Sequence, residues 1–289
     1  MKKICGMIPA LITPYDSTGN VNIKVLREIV RMNIKNNVAG FYTTGSTGEA
    51  FLLSTEERKK TLEIVREETV NGLVIAHVGS TVTREAIELA RHAKDVGADM
   101  VASVPPFYYQ YTKEEIKQYY RDIAEASQMP VMIYNIPGTT GVSLDYDSVG
   151  DFFKEDFIKG LKFTSKDFYQ LERIKTNYPK LSVFNGFDEV VAGSFIYGAD
   201  GGIGSTYNIM GGWFVSIYNA ILEKDYNKAG EIQRKINEVI EQLIKTGIIR
   251  GIKYILQLMG YECGMPRKPF REINELEKSI CKEILLKLL

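Results

Sequence analysis

The chain has 289 residues, 45% apolar and 25% charged, which is ordinary for a soluble globular protein and enough to bury a sizeable core. Its 36 basic and 36 acidic side chains leave no formal net charge, so nothing electrostatic draws it to nucleic acid or an anionic membrane, and no apolar run approaches the roughly 20 residues that span a bilayer. Three scattered cysteines (Cys5, Cys263, Cys281), two histidines (His77, His92) and no CxxC or HExxH argue against a disulfide framework or a metal site and fit a reducing, cytoplasmic compartment.

The chain opens on "MKKICGMIPALITPYD", which meets proline and aspartate early and reads as a first strand rather than a leader. Apolar, β-rich runs then recur at 6–13, 40–45, 73–79, 100–107, 131–137, 158–164, 181–186 and 201–206. Most are continuous rather than alternating, as in parallel strands covered on both faces. Between them lie helical patterns: 21–37; 54–68, opened by the capping-box pair Ser54 and Glu57; 83–97, closed by Gly97; then 112–127, 144–154, 166–177 and 188–197. Eight strand–helix units in this length predict a (β/α)8 TIM barrel, α/β in class, in preference to a doubly wound sheet. Helical patterns at 213–225, 227–246, 248–260 and 274–289 follow. The division expected is a barrel core over 1–210 and, over 211–289, C-terminal helices that include the last barrel helix.

A barrel gathers its chemistry where its strands end, so polar residues there come first. Lys162 ends the sixth strand, with Gly160 and Thr164 on its face and Leu161 and Phe163 on the other. Pointing inward, it is a nucleophilic amine able to form an imine with a ketone. Pointing outward, it snorkels to water or closes an ion pair. Tyr134 ends the neighbouring fifth strand and is either a proton carrier beside Lys162 or a barrel-filling tyrosine. "TTGSTGE", 43–49, is a turn whose Ser46, Thr47 and amides can hold a carboxylate; it has no P-loop lysine. Tyr108, in "PPFYYQ", reaches a site or a neighbouring subunit, or simply packs at the surface. Asp188, Glu189 and Ser205 offer groups for a polyhydroxylated ligand, with helix capping as the alternative for Asp188. His77 is read as a core histidine.

In order and at suitable spacing, "GSTGEAF", "AHVG", "PFYY", "YNIPG", "KFTSKDFYQLERI", "NGFDE" and "GADGGIGSTYNIMG" run through nearly the whole chain. This set resembles the pyruvate-dependent class I aldolase family of dihydrodipicolinate synthases and N-acetylneuraminate lyases, and within it the bacterial sialic acid lyases. The resemblance implies a homotetrameric barrel that needs no cofactor beyond a covalent imine on Lys162. It implies Tyr134 as proton carrier, Thr47 and a neighbouring subunit's Tyr108 as its relay partners, and Ser46 and Thr47 as the holders of pyruvate's carboxylate. Thr164, Gly186, Asp188, Glu189 and Ser205 would contact the hydroxylated chain of an amino-sugar acid. The implied reaction is cleavage of N-acetylneuraminate to N-acetylmannosamine and pyruvate.

"YNIPGTTGV" lacks the arginine that synthases carry there for a second carboxylate, and "KFTS" replaces their "KEA". The alternatives are a synthase, another 2-keto-3-deoxy sugar acid aldolase or dehydratase, or a non-catalytic keto-acid sensor, against which the pairing of Lys162 with Tyr134 speaks. Two departures from the lyases bear on sugar specificity: Thr43 and Thr44 stand where "VG" is usual, and Ile249 stands where an aromatic is common.

Overall fold

In the computed structural model, which describes residues 3–288, strands and helices alternate from the first strand on. Met1 and Lys2 of the opening segment and Leu289 of the last helical pattern lie outside the described residues. The order is β1 (Gly6–Pro9), α1 (Ile23–Lys35), β2 (Gly40–Thr43), α2 (Thr55–Glu68), β3 (Leu73–His77), α3 (Thr83–Val96), β4 (Met100–Ser103), α4 (Lys113–Ser127) and β5 (Val131–Asn135). Then come α5 (Pro137–Thr140), α6 (Tyr146–Val149), β6 (Ile158–Phe163), α7 (Phe168–Asn177), β7 (Ser182–Asn185), α8 (Val191–Ile196) and β8 (Gly201–Gly204). The chain finishes with α9 (Tyr207–Leu222), α10 (Tyr226–Thr246), α11 (Ile248–Leu258) and α12 (Glu275–Leu288).

All eight strands pair in parallel in the order β1-β8-β7-β6-β5-β4-β3-β2. The ring closes between β1 and β2, where Leu11 N–H donates to the Tyr42 carbonyl at 2.9 Å and Ala10 bridges to Tyr42. The architecture is the (β/α)8 barrel with C-terminal helices.

Strand alternation divides the core in two. Met7, Phe41, Val74, Val101, Ile133, Leu161, Phe163 and Val183 face the helices, while Ile8, Tyr42, Ile75, Met100, Met132, Phe184 and Ile203 fill the barrel. Each such side chain, taken from water, contributes about 1.5–3 kcal/mol of transfer free energy. The ends of α2 and α4 follow directly from their residues: Ser54 with Glu57, and Thr112 with Glu115, form reciprocal capping boxes. Two of the sequence helices are broken. The 144–154 pattern is α6 followed by a 3₁₀ turn (Gly150–Lys154), and the 188–197 pattern is a 3₁₀ turn (Asp188–Val190) followed by α8. Val149, at φ −142°, leaves the helical region in the first, and Asp188 is committed to a tertiary contact in the second.

Among the described residues, one ion pair joins the C-terminal helices to the barrel. Lys253 of α11 donates to Glu49 at 2.6 Å, with both side chains fully buried. The second Glu49 oxygen accepts from the Arg267 backbone N–H at 2.8 Å, and the Lys253 ammonium lies 3.9 Å from the centre of the Tyr15 ring. Removing one partner strands a charge in the interior, which typically costs about 3–5 kcal/mol. Lys253→Met should therefore lower stability by about that much, and Glu49→Gln added to Lys253→Met should recover much of the loss, because the amide still accepts from Arg267. Urea midpoints of the three proteins check this; a double variant no more stable than Lys253→Met would contradict it.

Candidate active site

The parallel register of β5 against β6 makes Tyr134 and Lys162 direct partners. Lys162 is only 4% exposed and points into the barrel, the inward alternative of the two that its spacing allowed. Its ammonium lies 4.0 Å from the centre of the Tyr134 ring and 4.7 Å from that of Tyr42, whose rings meet edge to face. Two aromatic faces, each able to contribute about 0.5–2 kcal/mol to a cation, stand where a carboxylate would usually be. Among the described residues no carboxylate lies within 4.0 Å of this nitrogen. The amine is held in place without being bound in an ion pair.

The chain leaves β2 through Thr44 and turns over residues 45–49. Ser46, exposed, and Thr47, buried, both line a cavity of about 290 Å³ at the barrel mouth, together with Tyr134 and Lys162. The Thr47 hydroxyl shares a 2.7 Å hydrogen bond with Ser205, just past the end of β8, with only β1 between the two strands. That partner differs from the one expected, the Tyr134 hydroxyl; within one chain, Thr47 is tied to the loop after β8.

The ends of β6, β7 and β8 add Thr164, Gly186, Asp188, Glu189 and Ser205 to the lining. The Thr164 hydroxyl is buried with no partner among the described residues, and a Cβ at Gly186 would lie 2.0 Å from it, so glycine there leaves that hydroxyl its place. Asp188 does not cap the helix after it. One of its oxygens accepts from both the backbone N–H and the hydroxyl of Thr206, at 2.8 and 2.7 Å, fixing the turn after β8. The other lies where a Cβ on Gly204 would come within 1.9 Å. Burial raises the Asp188 carboxyl to about 6, against the two Thr206 bonds that favour the charged form. Glu189 is partly exposed and pairs with Lys166 at 3.3 Å.

Several residues of this site escaped the sequence. Gln233 and Asn237 of α10 donate to the backbone carbonyls of Asp188 and Glu189 at 3.0 Å each, so a C-terminal helix shapes the far wall. Ile240, Ile244 and Ile248 supply its apolar edge. The i, i+4 spacing of Ile240 and Ile244 on α10 is visible in the sequence, but the face it presents to the barrel mouth is not, nor is the place of Ile248 on the next helix. The expected Ile249 is absent from the lining; at the start of α11, Ile248 takes that place and the next residue turns about 100° away. Tyr42 carried no signal beyond its strand. Tyr108 is 85% exposed with φ +80°, outside the cavity of its own chain and edge-on to Tyr109 at 5.1 Å. His77 is a core residue, buried against the loop.

The sequence profile of the Dihydrodipicolinate synthetase family matches residues 3–288. An N-acetylneuraminate lyase of Citrobacter koseri is 43% identical over 277 residues, covering 95% of this chain and 93% of that protein. Among solved structures, CdNal from Clostridium difficile in complex with mannosamine superposes with a TM-score of 0.96 at 39% identity over the whole of both chains. N-acetylneuraminate lyase from Fusobacterium nucleatum superposes with a TM-score of 0.94 at 40% identity over 99% of each. On a match that spans the described barrel and its C-terminal helices alike, the chain belongs to the dihydrodipicolinate synthetase family.

Proposed function

We propose that this chain is an N-acetylneuraminate lyase, a carbon–carbon lyase of the class I aldolase type. The observation that carries the reading is an inward amine, Lys162, resting on the Tyr134 ring and facing a polar wall in which the Thr164 hydroxyl has no partner among the described residues. The neutral amine adds to the C2 ketone of the open-chain sugar acid, and the Tyr134 phenol gives its proton to the departing hydroxyl, so that water leaves an iminium and a phenolate behind. Ser46 and Thr47 hold the neighbouring carboxylate. The C4 hydroxyl proton passes to Tyr134, the C3–C4 bond breaks, and its electrons move into the iminium to give an enamine. N-acetylmannosamine departs as the aldehyde. The enamine takes a proton at C3, and hydrolysis returns pyruvate and the free amine. The iminium withdraws the electrons, so the chemistry needs no metal or organic cofactor.

Thr164, Asp188, Glu189 and Ser205 receive the hydroxylated chain, and Ile240, Ile244 and Ile248 its less polar substituent. A synthase that condenses pyruvate with aspartate semialdehyde needs a cation for a second carboxylate. Lys162 is the one cation that lines the cavity among the described residues, which favours the lyase. We further read the chain as a cytoplasmic homotetramer in which Tyr108 of one copy completes the proton relay of its neighbour. The exposed aromatics Phe51, Tyr108 and Tyr109 support this.

Borohydride with pyruvate should add a reduced three-carbon adduct to the peptide bearing Lys162, and peptide mass spectrometry locates it; an adduct on any other lysine would overturn the assignment. Tyr134→Phe should still trap pyruvate while losing about 100-fold or more in cleavage of N-acetylneuraminate, since it removes the proton carrier alone.

The Asp188 carboxyl makes a pH prediction. Its folded pKa lies above the ordinary 3.8, at about 6. The stability this contributes is complete below about pH 4 and lost as pH rises through about 6. Asp188→Asn should therefore be more stable than the parent by up to about 3 kcal/mol at pH 8, with no gain at pH 3.5, while losing turnover of the sugar acid. Urea midpoints at the two pH values test the sign; a variant less stable at pH 8 contradicts it.

A further inference from the structure

The turn that bears Ser46 and Thr47 begins with a residue in an unfavourable conformation. Thr44 is β-branched and has φ +48°, in the left-handed region. Such a backbone persists when its surroundings over-determine it, and here a single side chain does much of that. The Thr44 hydroxyl donates to the His77 carbonyl at 3.2 Å, and the Thr44 carbonyl lies 2.9 Å from His77 Nδ1. A carbonyl only accepts, so at this shorter contact Nδ1 carries the proton and donates, while Arg58 Nη2, 3.5 Å from Nδ1, has its close acceptor in the His77 carbonyl at 2.8 Å. The β2–β3 ladder ends with Thr43 opposite Ala76. Thr44 and His77 thus extend the pairing by one residue through side-chain bonds, just where the chain turns.

The His77 ring also packs against Tyr42 and Tyr134, with centroids 6.0 and 6.3 Å away, and its backbone is held in place. Arg58, itself buried, donates to the His77 carbonyl at 2.8 Å and to the Gly79 carbonyl at 3.0 Å, which fixes the end of β3. Burial and the Arg58 charge keep the ring neutral, well below the usual histidine range. The second ring nitrogen, Nε2, is buried and has no partner among the described residues. A Cβ at Gly79 would lie 2.8 Å from it, so glycine there makes room for the ring. Phe51, from the segment after the turn, meets the same ring edge to face at 6.1 Å. His77 therefore touches the turn at its entry and the chain just beyond its exit.

We propose that His77 is a positioning residue: through its Nδ1–H on the Thr44 carbonyl it sets where Ser46 and Thr47 stand in the cavity, and so how tightly the keto acid's carboxylate is held. The pyruvate readout rests on the functional reading above; the exchange readout below does not, so the two can fail separately.

Asparagine and glutamine discriminate the two ring nitrogens, since Asn places an N–H near Nδ1 and Gln places one near Nε2. His77→Asn should keep the pyruvate concentration for half-maximal borohydride adduct close to that of the parent. His77→Gln should raise it by about tenfold, the loss of roughly one buried hydrogen bond. Amide hydrogen exchange over residues 45–50 should quicken in His77→Gln and stay at the parental rate in His77→Asn, with thermal midpoints recorded for both. Thr44→Val against Thr44→Ser reads the other half of the contact, and serves if His77→Gln fails to fold. Val should weaken pyruvate trapping and Ser should preserve it. Equal behaviour of His77→Asn and His77→Gln in both readouts would reduce His77 to packing and overturn the proposal. So would parental exchange and trapping in Thr44→Val.

Discussion

The pairing of β5 with β6 is the constraint on which the site depends. With Tyr134 opposite Lys162, an amine on one strand must rest on an aromatic face of the next. A slip of β6 by one residue would send Lys162 to the helix side. The register is secured by what lies beneath: Met132, Phe184 and Ile203 fill the barrel interior, while Leu161 and Phe163 pack outward. The barrel core does more than stabilise the fold, because it fixes the height and direction of one nitrogen.

The turn after β2 is held from two sides. Thr44 at its start and Glu49 at its end both have positive φ, +48° and +61°, conformations that L residues adopt at a cost. Each is met by buried polar groups from another part of the chain: His77 and Arg58 of the barrel for the first, Lys253 and Arg267 of the C-terminal region for the second. Polar and ionic partners of this kind are weak contributors to net stability. Their use here is geometric, since they hold a strained loop in one shape beside the amine.

The C-terminal helices belong to the site as much as to the fold. α10 grips the backbone of Asp188 and Glu189 through Gln233 and Asn237, and together with α11 it supplies three isoleucines to the cavity edge. α11 also carries the lysine that pairs with Glu49. The far wall and the loop facing it are thus positioned from outside the barrel, so changes in these helices reach the cavity without touching its polar residues.

The barrel was legible in the sequence because local rules suffice for it. Eight apolar runs, each followed by a helical pattern, leave few topologies, and two-residue alternation already set Lys162 apart from Leu161 and Phe163. The ordered motifs from "GSTGE" to "GSTYN" carried the family. Tertiary structure alone decided the direction of Lys162, the pairing of Thr47 with Ser205, the grip of α10 on the far wall, and Ile248 rather than Ile249 at its edge. It also gave His77 its place against Thr44, where the sequence showed only a histidine in a strand. The physical reason is one of range: periodicity and capping act over a few residues, whereas Thr47 meets Ser205 across 158 positions and Glu49 meets Lys253 across 204, contacts that exist only once the ring of strands has closed.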